Sequence, residues 1–165
     1  MQPIIRLALE NEAEWISDLV NMAYRYPHPS SWTNESALIE GERTSVEAVK
    51  ALMAKDSRLL VALIDNNIMA CLHVGISGDT AHLGMLTVHP ALQNQGVGKI
   101  FLEYAEQYAS HPLRLKLVEM VVLVERKELM AFYLRRGYVR TGNISPYPST
   151  GFGKPRVAGL QIEVL

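Results

Sequence analysis

The segment 88–99, where a strand gives way to a helix, constrains the fold more than any other part of this chain. It reads Val-His-Pro-Ala-Leu-Gln-Asn-Gln-Gly-Val-Gly-Lys and follows an apolar run that begins at Ala81. A proline ends the strand and two glycines open the helix, so the first amide N–H groups of that helix have no partner within it. An anion satisfies such groups, and Gly96 and Gly98 allow its close approach because they lack a Cβ atom. We therefore predict a site for a phosphorylated ligand, to which Lys99 adds a positive charge.

The residues around these glycines exclude two common nucleotide motifs. A P-loop has a glycine five positions before its Gly-Lys pair and a Ser or Thr after the lysine, where this chain has Gln93 and Ile100. The dinucleotide fingerprint needs a third glycine where Phe101 stands. The pattern present is Gln-x-x-Gly-x-Gly after a strand ending in Val-His-Pro, which resembles the GNAT superfamily of enzymes that transfer an acetyl group from acetyl-CoA to an amine. The alternative is an ordinary turn, loosened by glycine, before an amphipathic helix.

Composition limits the classes of protein that remain. The 165 residues, 48% apolar and 20% charged, predict one globular domain spanning 1–165. A net charge of −1 gives no sign of a nucleic-acid surface. No run reaches the roughly 18 apolar residues of a membrane span, and the first apolar run is too short for a signal peptide. Cys71 is the one cysteine, which fits a reducing cytoplasm. We expect no metal, nucleic-acid or membrane partner.

The apolar periodicity predicts the element order β-α-α-β-β-β-α-β-α-β-β. This is the order of the GNAT fold, so the resemblance implies an α/β (α+β) protein with a central mixed, mostly antiparallel sheet flanked by helices. The predicted strands cover residues 4–9, 59–64, 68–76, 81–88, 117–124, 138–141 and 160–165. The predicted helices cover residues 15–23, 46–55, 96–110 and 127–136, with a short helical stretch at 35–40. Capping boxes are predicted at Asn11 and Thr44, a tight hairpin at Asp65–Asn67, and burial of both faces of the strand 117–124.

The segment 131–138, Ala-Phe-Tyr-Leu-Arg-Arg-Gly-Tyr, resembles a second landmark of the family, a helix with a tyrosine four residues before a glycine. In relatives this tyrosine lies near the CoA sulfur and protonates the departing thiolate. The chemistry suits Tyr133, because a phenol with a pKa of about 10 stays protonated at neutral pH while a thiol of pKa about 8.5 leaves. The alternative is that Phe132 and Tyr133 are core aromatics.

The resemblance also implies backbone contacts to the cofactor. In the family, the end of the strand before the cofactor loop splays from the next strand, and the pantetheine arm lies in the gap. Here that strand end is Leu86, Thr87 and Val88. The loop amides that would hold the pyrophosphate belong to Asn94, Gln95, Gly96, Val97, Gly98 and Lys99. Many relatives have an asparagine seven residues before the tyrosine. This chain has Arg126 there, so Glu125 and Arg126 are the candidates for that contact.

The sequence leaves the general base open. An attacking amine of pKa about 10 must lose a proton, which costs roughly 4 kcal/mol at neutral pH. Relatives often use a glutamate on or beside the strand before the cofactor loop, but residues 82–88 contain no carboxylate. His82, His73 and Glu119 are candidates, although each could instead be structural or solvated, and a water relay is an equal alternative. Cys71 could carry the acetyl group covalently, but a lone cysteine in an apolar run is more often core.

The segments 31–44 and 140–155 resemble one subgroup of small acetyltransferases, so the likeness covers nearly the whole chain. In the superfamily, the loops between the first two helices and near the C-terminus line the acceptor side. This makes Trp32, Arg43 and Tyr147 candidate pocket residues, and Arg43 could bind a carboxylate. The alternative is that Trp32 is a packing anchor and Arg43 bonds a loop carbonyl.

Together these features predict a cytoplasmic acetyl-CoA-dependent N-acetyltransferase that acts on the amine of a small molecule or of a protein. Exposed strand edges near the C-terminus are compatible with a homodimer. Two other classes stay open. One is a non-catalytic acyl-CoA-binding regulatory module, suggested by the missing carboxylate. The other is a structural α/β domain without a CoA site, which predicts no thermal shift with CoA.

Overall fold

The computed structural model describes residues 2–26, 34–148, 153–156 and 158–165. The strands are β1 (Ile4–Leu7), β2 (Ile39–Glu40), β3 (Ser57–Ile64), β4 (Asn67–Ser77), β5 (Thr80–Val88), β6 (Leu117–Leu123), β7 (Ile144–Pro146), β8 (Lys154–Pro155) and β9 (Gln161–Val164). The helices are α1 (Ala13–Tyr24), α2 (Val46–Ala51), α3 (Val97–Ser110) and α4 (Lys127–Leu134), with 3-10 turns at Glu10–Glu12 and Pro90–Leu92.

Seven of these strands form one sheet in the order β1-β3-β4-β5-β6-β9-β7. The β5–β6 pair is parallel, and the other neighbouring pairs are antiparallel. Strands β2 and β8 pair separately, with Ile39 facing Pro155. A mixed, mostly antiparallel sheet flanked by helices confirms the predicted fold class.

Helices cover both faces of the sheet. On one face, Phe101 of α3 and Tyr133 of α4 are buried against Leu72 and Val74 of β4. On the other face, α1 and α2 pack against the alternate residues of β3 and β4. Helix α1 buries Ile16, Leu19, Val20 and Ala23. Residues at this spacing lie on one side of a helix, and each fully buried large apolar side chain contributes about 1.5–3 kcal/mol.

The hairpin between β3 and β4 confirms the prediction made from Asp65–Asn67. Asp65 and Asn66 have φ values of 50° and 63°, which is the conformation that a two-residue turn of the hairpin type requires at both positions. Asp and Asn tolerate this region better than other non-glycine residues. The turn chemistry therefore fixes the register of β3 and β4 next to the hairpin, where Ile64 faces Asn67.

Two predicted elements are wrong because long-range pairing overrides local pattern. Residues 35–40 were predicted helical, but Ser36–Leu38 form a turn and Ile39–Glu40 form β2, which pairs with β8. Residues 138–141 were predicted to be a strand, but no strand forms there. The Tyr138 amide instead donates to the carbonyl of Tyr133 at 3.2 Å and closes the end of α4. The strand that pairs with β9 is β7, farther along the chain.

Local details also differ from prediction. The carboxylate of Glu12 accepts from the Leu9 amide at 2.8 Å, so the first cap involves neither Asn11 nor Glu14. Helix α2 is capped by Ser45, whose Oγ accepts from the Ala48 amide at 3.1 Å. Strand β6 is not covered on both faces throughout, since Leu117 and Val121 are more than half exposed.

Candidate active site

A β-bulge interrupts β5 at the centre of the sheet. Cys71 of β4 faces Thr87, but His73, two residues on, faces Gly84, so β5 holds one extra residue between these pairs. Met85, inside the bulge, has a φ of 54°. A non-glycine residue in this region stores strain on the order of 1–3 kcal/mol, and such strain is concentrated at functional sites. The bulge changes the direction of β5 after Met85.

Beyond the bulge, β5 separates from β6. The parallel pairing ends where Leu83 faces Met120, and the remaining residues of β6 pair only with β9. The hydroxyl of Tyr24, on α1, donates to the carbonyl of Leu86 at 2.7 Å. This leaves a gap in the sheet beside residues 86–88, which is the splay that the family resemblance implies.

The loop after β5 presents a row of amides to this gap. Gly96, the N-cap of α3, has a φ of 81°, and Asn94 has a φ of 64°. The buried side-chain amide of Gln93 donates from Nε2 to the carbonyl of Val88 at 3.0 Å and holds the loop against the end of the strand. The first helical hydrogen bond runs from the Ile100 amide to the Gly96 carbonyl at 3.1 Å. Among the described residues, the backbone amides of 94–99 donate to no carbonyl or side chain.

A cleft of about 490 Å³ lies between this loop and α4. A Cβ atom at Gly98 would lie 3.6 Å from Cγ2 of Val88 and 4.0 Å from Cζ of Phe132, which are ordinary van der Waals distances. A side chain longer than that of alanine would therefore extend into the cleft. Lys99, Arg135 and Arg136 line the same cleft. Free amides at a positive helix end, together with three cations, suit a pyrophosphate. The cleft therefore fits CoA.

Arg135 and Arg136 are cleft residues that the motif analysis missed. The guanidinium of Arg136 lies over the ring of Phe132, 4.0 Å from its centroid, and donates to the Phe132 carbonyl at 3.2 Å. The Arg-Arg pair in the last turn of the predicted helix could have indicated them, because Arg136 follows Phe132, which lines the cleft, by four residues.

A second cavity, of about 630 Å³, lies on the α1 and α2 side of the sheet. It is lined by residues of α1, β4, β5 and β6 and by Tyr147 near the C-terminus. Both cavities share Leu86, Leu129 and Tyr133. They therefore meet at the gap between β5 and β6, where a ligand on one side of the sheet can reach a ligand on the other.

Tyr133 lies at this meeting point with its side chain 6% exposed. Its ring contacts those of Phe132 and Tyr138 edge-on, with centroids 5.3 and 5.9 Å away. The hydroxyl makes no hydrogen bond with any other described residue. Burial raises the pKa of Tyr133 far above its ordinary value, an effect that the neighbouring Tyr24 strengthens and Arg126 opposes. The phenol therefore holds its proton throughout the neutral range.

All three candidate bases line the second cavity. His82 and Glu119 face each other across β5 and β6, with 3.3 Å between Nδ1 and Oε2, and both side chains are about half exposed. His73 contacts the Ser57 hydroxyl through Nε2 at 2.9 Å. Burial, and then the charge of Arg43, lower the pKa of His73.

A cationic cluster lies at one wall of the second cavity, which Arg25, Glu35 and Arg43 line and Arg126 does not. Arg25 and Arg126, both about 95% buried, lie on either side of the carboxylate of Glu35, with N–O distances of 3.6 and 3.7 Å. Arg43 lies over the ring of Tyr24, 5.6 Å from its centroid. Burial raises the pKa of Glu35, although all three arginines act in the opposite direction. Arg25 and Glu35 were not predicted from the sequence, since nothing local distinguishes them from surface charges.

Several predicted residues lie away from the cleft. Arg126, at the N-terminus of α4, points its guanidinium at Glu35, and the Glu125 carboxylate accepts from the Gln161 amide at 3.2 Å. Neither lines the cleft, so their contact with the cofactor stays a prediction that this geometry does not favour. Trp32 lies outside the described residues. Cys71 is fully buried, and burial raises the pKa of its thiol to about 12, which removes the thiolate that covalent transfer needs.

Residues 16–138 match the model of the acetyltransferase (GNAT) family. The chain therefore belongs to this family of acetyltransferases, whose acyl donor is acetyl-CoA. No curated protein sequence matches the chain significantly. None of the helices in the described parts of the chain has the length and apolar character that crossing a membrane requires.

Three solved structures share the fold at low sequence identity. The ribosomal-protein-S18-alanine N-acetyltransferase of Escherichia coli is 14% identical, with a TM-score of 0.70 over 98% of this chain and 90% of that one. A GNAT acetyltransferase of Streptococcus pneumoniae is 15% identical, with a TM-score of 0.67 over 99% and 97%. The spermidine N-acetyltransferase of Vibrio cholerae, solved with CoA and spermine, is 16% identical, with a TM-score of 0.68 over 99% and 95%.

Proposed function

We propose that this chain is a single-domain N-acetyltransferase that takes a primary amine in the second cavity and acetyl-CoA in the cleft beside α3. One observation carries the proposal: the two cavities meet at Tyr133 and Leu86, in the gap between β5 and β6. A regulatory module that only binds CoA has no need of a second cavity opening onto the thioester end of the first. The cytoplasmic location and the homodimer stay predictions.

The residues have distinct proposed roles. The amides of 94–99 and the cation of Lys99 hold the diphosphate, and the pantetheine arm lies along the edge of residues 86–88 that β6 does not cover. When bound, acetyl-CoA supplies the activated acetyl group. The acceptor nitrogen bonds to the acetyl carbon, the carbon–sulfur bond breaks, and Tyr133 donates its proton to the sulfur. Water then returns a proton to Tyr133.

For the proton of the amine, the pair formed by His82 and Glu119 is the acceptor that we propose. The carboxylate of Glu119 stabilises the imidazolium that forms on His82, as an orienting carboxylate does in other His-based sites. His73 is less suited, because burial and Arg43 lower its pKa and thereby weaken it as a base. A water molecule in the cavity can complete the path from the amine to the imidazole.

The test is release of thiol from acetyl-CoA in the presence of a panel of primary amines, measured beside calorimetric binding of CoA. An enzyme releases thiol with at least one amine well above the rate of hydrolysis. A regulatory module would bind CoA and release none above that rate. A structural domain would show neither binding nor a thermal shift with CoA.

A further inference from the structure

The cationic cluster of the second cavity points to the class of acceptor, and this inference rests on the proposed function. The guanidinium groups of Arg25 and Arg126 lie on either side of one carboxylate, that of Glu35, and the charge of Arg43 also acts on it. Arginine is charged at any physiological pH, so the cluster has a formal excess of two positive charges. Buried charge is costly unless it is paired. The protein keeps this excess beside an open cavity.

Among the described residues, no carboxylate forms an ion pair with Arg43, and Glu35 is the carboxylate that Arg25 and Arg126 share. Glu119, the second carboxylate that lines the cavity, contacts His82. Glu42 is exposed and accepts from the hydroxyl of Tyr26 at 2.9 Å. The segments outside the described residues, including 27–33 and 149–152, contain no Asp or Glu. A carboxylate bound in the cavity can therefore supply a counter-charge that the described residues do not give to Arg43.

Of the arginines in the cluster, Arg43 is the one whose donors are available on the cavity side. Arg43 is half-buried, and its guanidinium forms no hydrogen bond or ion pair within the described residues; its contact is with the face of Tyr24. The guanidinium of Arg25 is occupied: Nη1 donates to the carbonyls of Gly41 and Glu42, at 2.9 and 3.3 Å, and the buried Nε lies 3.6 Å from Oε2 of Glu35. Both residues line the cavity. The planar guanidinium of Arg43 can donate to both oxygens of one carboxylate.

The position of the cluster relative to the gap sets where the reacting amine lies. The ring under Arg43 belongs to Tyr24, whose hydroxyl is bonded to the Leu86 carbonyl at the gap. A ligand held by Arg43 therefore lies within one side-chain length of the place where the two cavities meet. We propose that the acceptor is a small amine that carries a carboxylate, as an amino acid does, with the carboxylate on Arg43 and the amine toward Tyr133.

The experiment compares matched acceptors on the full chain. Several amino acids are each assayed beside the amine that lacks the carboxylate and beside the amino-acid amide, and spermidine serves as a polycationic acceptor. We expect kcat/KM for the carboxylate form to exceed that of its two partners roughly tenfold or more, since hydrogen bonds to charged groups are the strong ones. Preference for spermidine or for the decarboxylated amines would overturn the inference while leaving the proposed function intact. Absence of thiol release with every amine, despite CoA binding, would overturn both.

Arg43→Gln tests the assignment to this residue. We expect kcat/KM for the carboxylate form to fall to no more than about three times that of its two partners, because its KM rises, while the affinity for CoA stays unchanged. If Arg43 acted only through the electrostatics of His73, the rates with all acceptors would fall together and the preference would stay, which would overturn the assignment. Arg114→Gln, an exposed change outside the cavity, is the matched control and should leave every ratio as it is. The wild-type comparison decides the acceptor class even if the variant folds poorly.

Discussion

At the scale of single residues, the environment of Tyr133 keeps its hydroxyl protonated, although burial also makes the phenol a weaker acid. In the proposed reaction this residue is therefore available to donate a proton but not to accept one. Desolvation raises its pKa, and the hydroxyl has no competing hydrogen bond within the described residues. A thiol of pKa about 8.5 leaves as a thiolate that a neutral phenol can protonate. The same burial makes Tyr133 useless as a base for the amine, so the two proton transfers need two different groups.

Tyr133→Phe should lower kcat by about 10²-fold, the lower end of what general acid catalysis contributes, and leave the affinity for CoA unchanged. The ring and its two edge contacts remain, so the fold should be retained. Steady-state kinetics and calorimetry measure the two quantities. Tyr138→Phe is the control, because it removes a neighbouring hydroxyl whose partner is Glu106, at 2.9 Å. A wild-type kcat in Tyr133→Phe would remove this residue from the chemistry.

At the scale of elements, the sequence predicts those features whose cause is local. The glycines at 96 and 98 define the corner before α3, and Asp65–Asn67 define the β3–β4 hairpin, because each depends on backbone freedom within a few residues. The β2 strand depends on a partner more than a hundred residues away in the chain. The bulge at Met85 likewise depends on the pairing of β5 with β4 on one edge and β6 on the other. Such pairings leave no periodic signature, so helix 35–40 was predicted in error and Met85 was missed.

The corner before α3 can be tested with Gly98→Glu. The new carboxylate would enter the cleft past Val88 and Phe132 and repel the diphosphate, so we expect the Kd for CoA to rise more than tenfold. Gly98→Ala is the matched control, since its Cβ would lie 3.6 Å from Cγ2 of Val88, an ordinary contact, and should change the Kd less than threefold. Thermal melting without CoA checks that both variants fold. Equal affinities in the two variants would contradict the assignment of this corner to the diphosphate.

The pairing of β2 with β8 depends on Gly153, which has a φ of 92°. A Cβ there would lie 2.6 Å from Cγ2 of Ile39 and closer still to Nη1 of Arg25. Gly153→Ala should therefore destabilise the protein by about 1–3 kcal/mol, measured by urea unfolding, and should raise the KM for the acceptor by displacing Arg25. Gly159→Ala is the control: its φ of 76° imposes similar backbone strain, but nothing lies within 4 Å of the new Cβ. Equal losses in both variants would mean that backbone strain alone is responsible.

At the scale of the whole molecule, β9 joins the C-terminal residues to the central sheet. It lies between β6 and β7, and its Glu163 is 1% exposed. The carboxylate accepts from Arg140 at 2.5 and 3.0 Å and from the Gly142 amide at 3.2 Å. Through these hydrogen bonds, Glu163 holds the segment that follows α4 against β9. Strand β9 also forms one side of the acceptor cavity, through Ile162 and Val164. The hydrogen bonds from Arg140 lower the pKa of Glu163.

This lowered pKa predicts how the stability depends on pH. A carboxyl group whose pKa is lower in the folded state stabilises the fold fully above its ordinary pKa of about 4.3, and this contribution is lost as the pH falls through the lowered value. Glu163→Gln should therefore be less stable than the wild type at pH 7, and the difference should shrink below about pH 4 as Glu163 becomes protonated. Urea unfolding between pH 7 and pH 3 measures both curves, and Glu47→Gln, an exposed change on α2, should leave the stability nearly unchanged. A difference that is the same at every pH would mean that Glu163 acts by packing and neutral hydrogen bonds rather than through its charge.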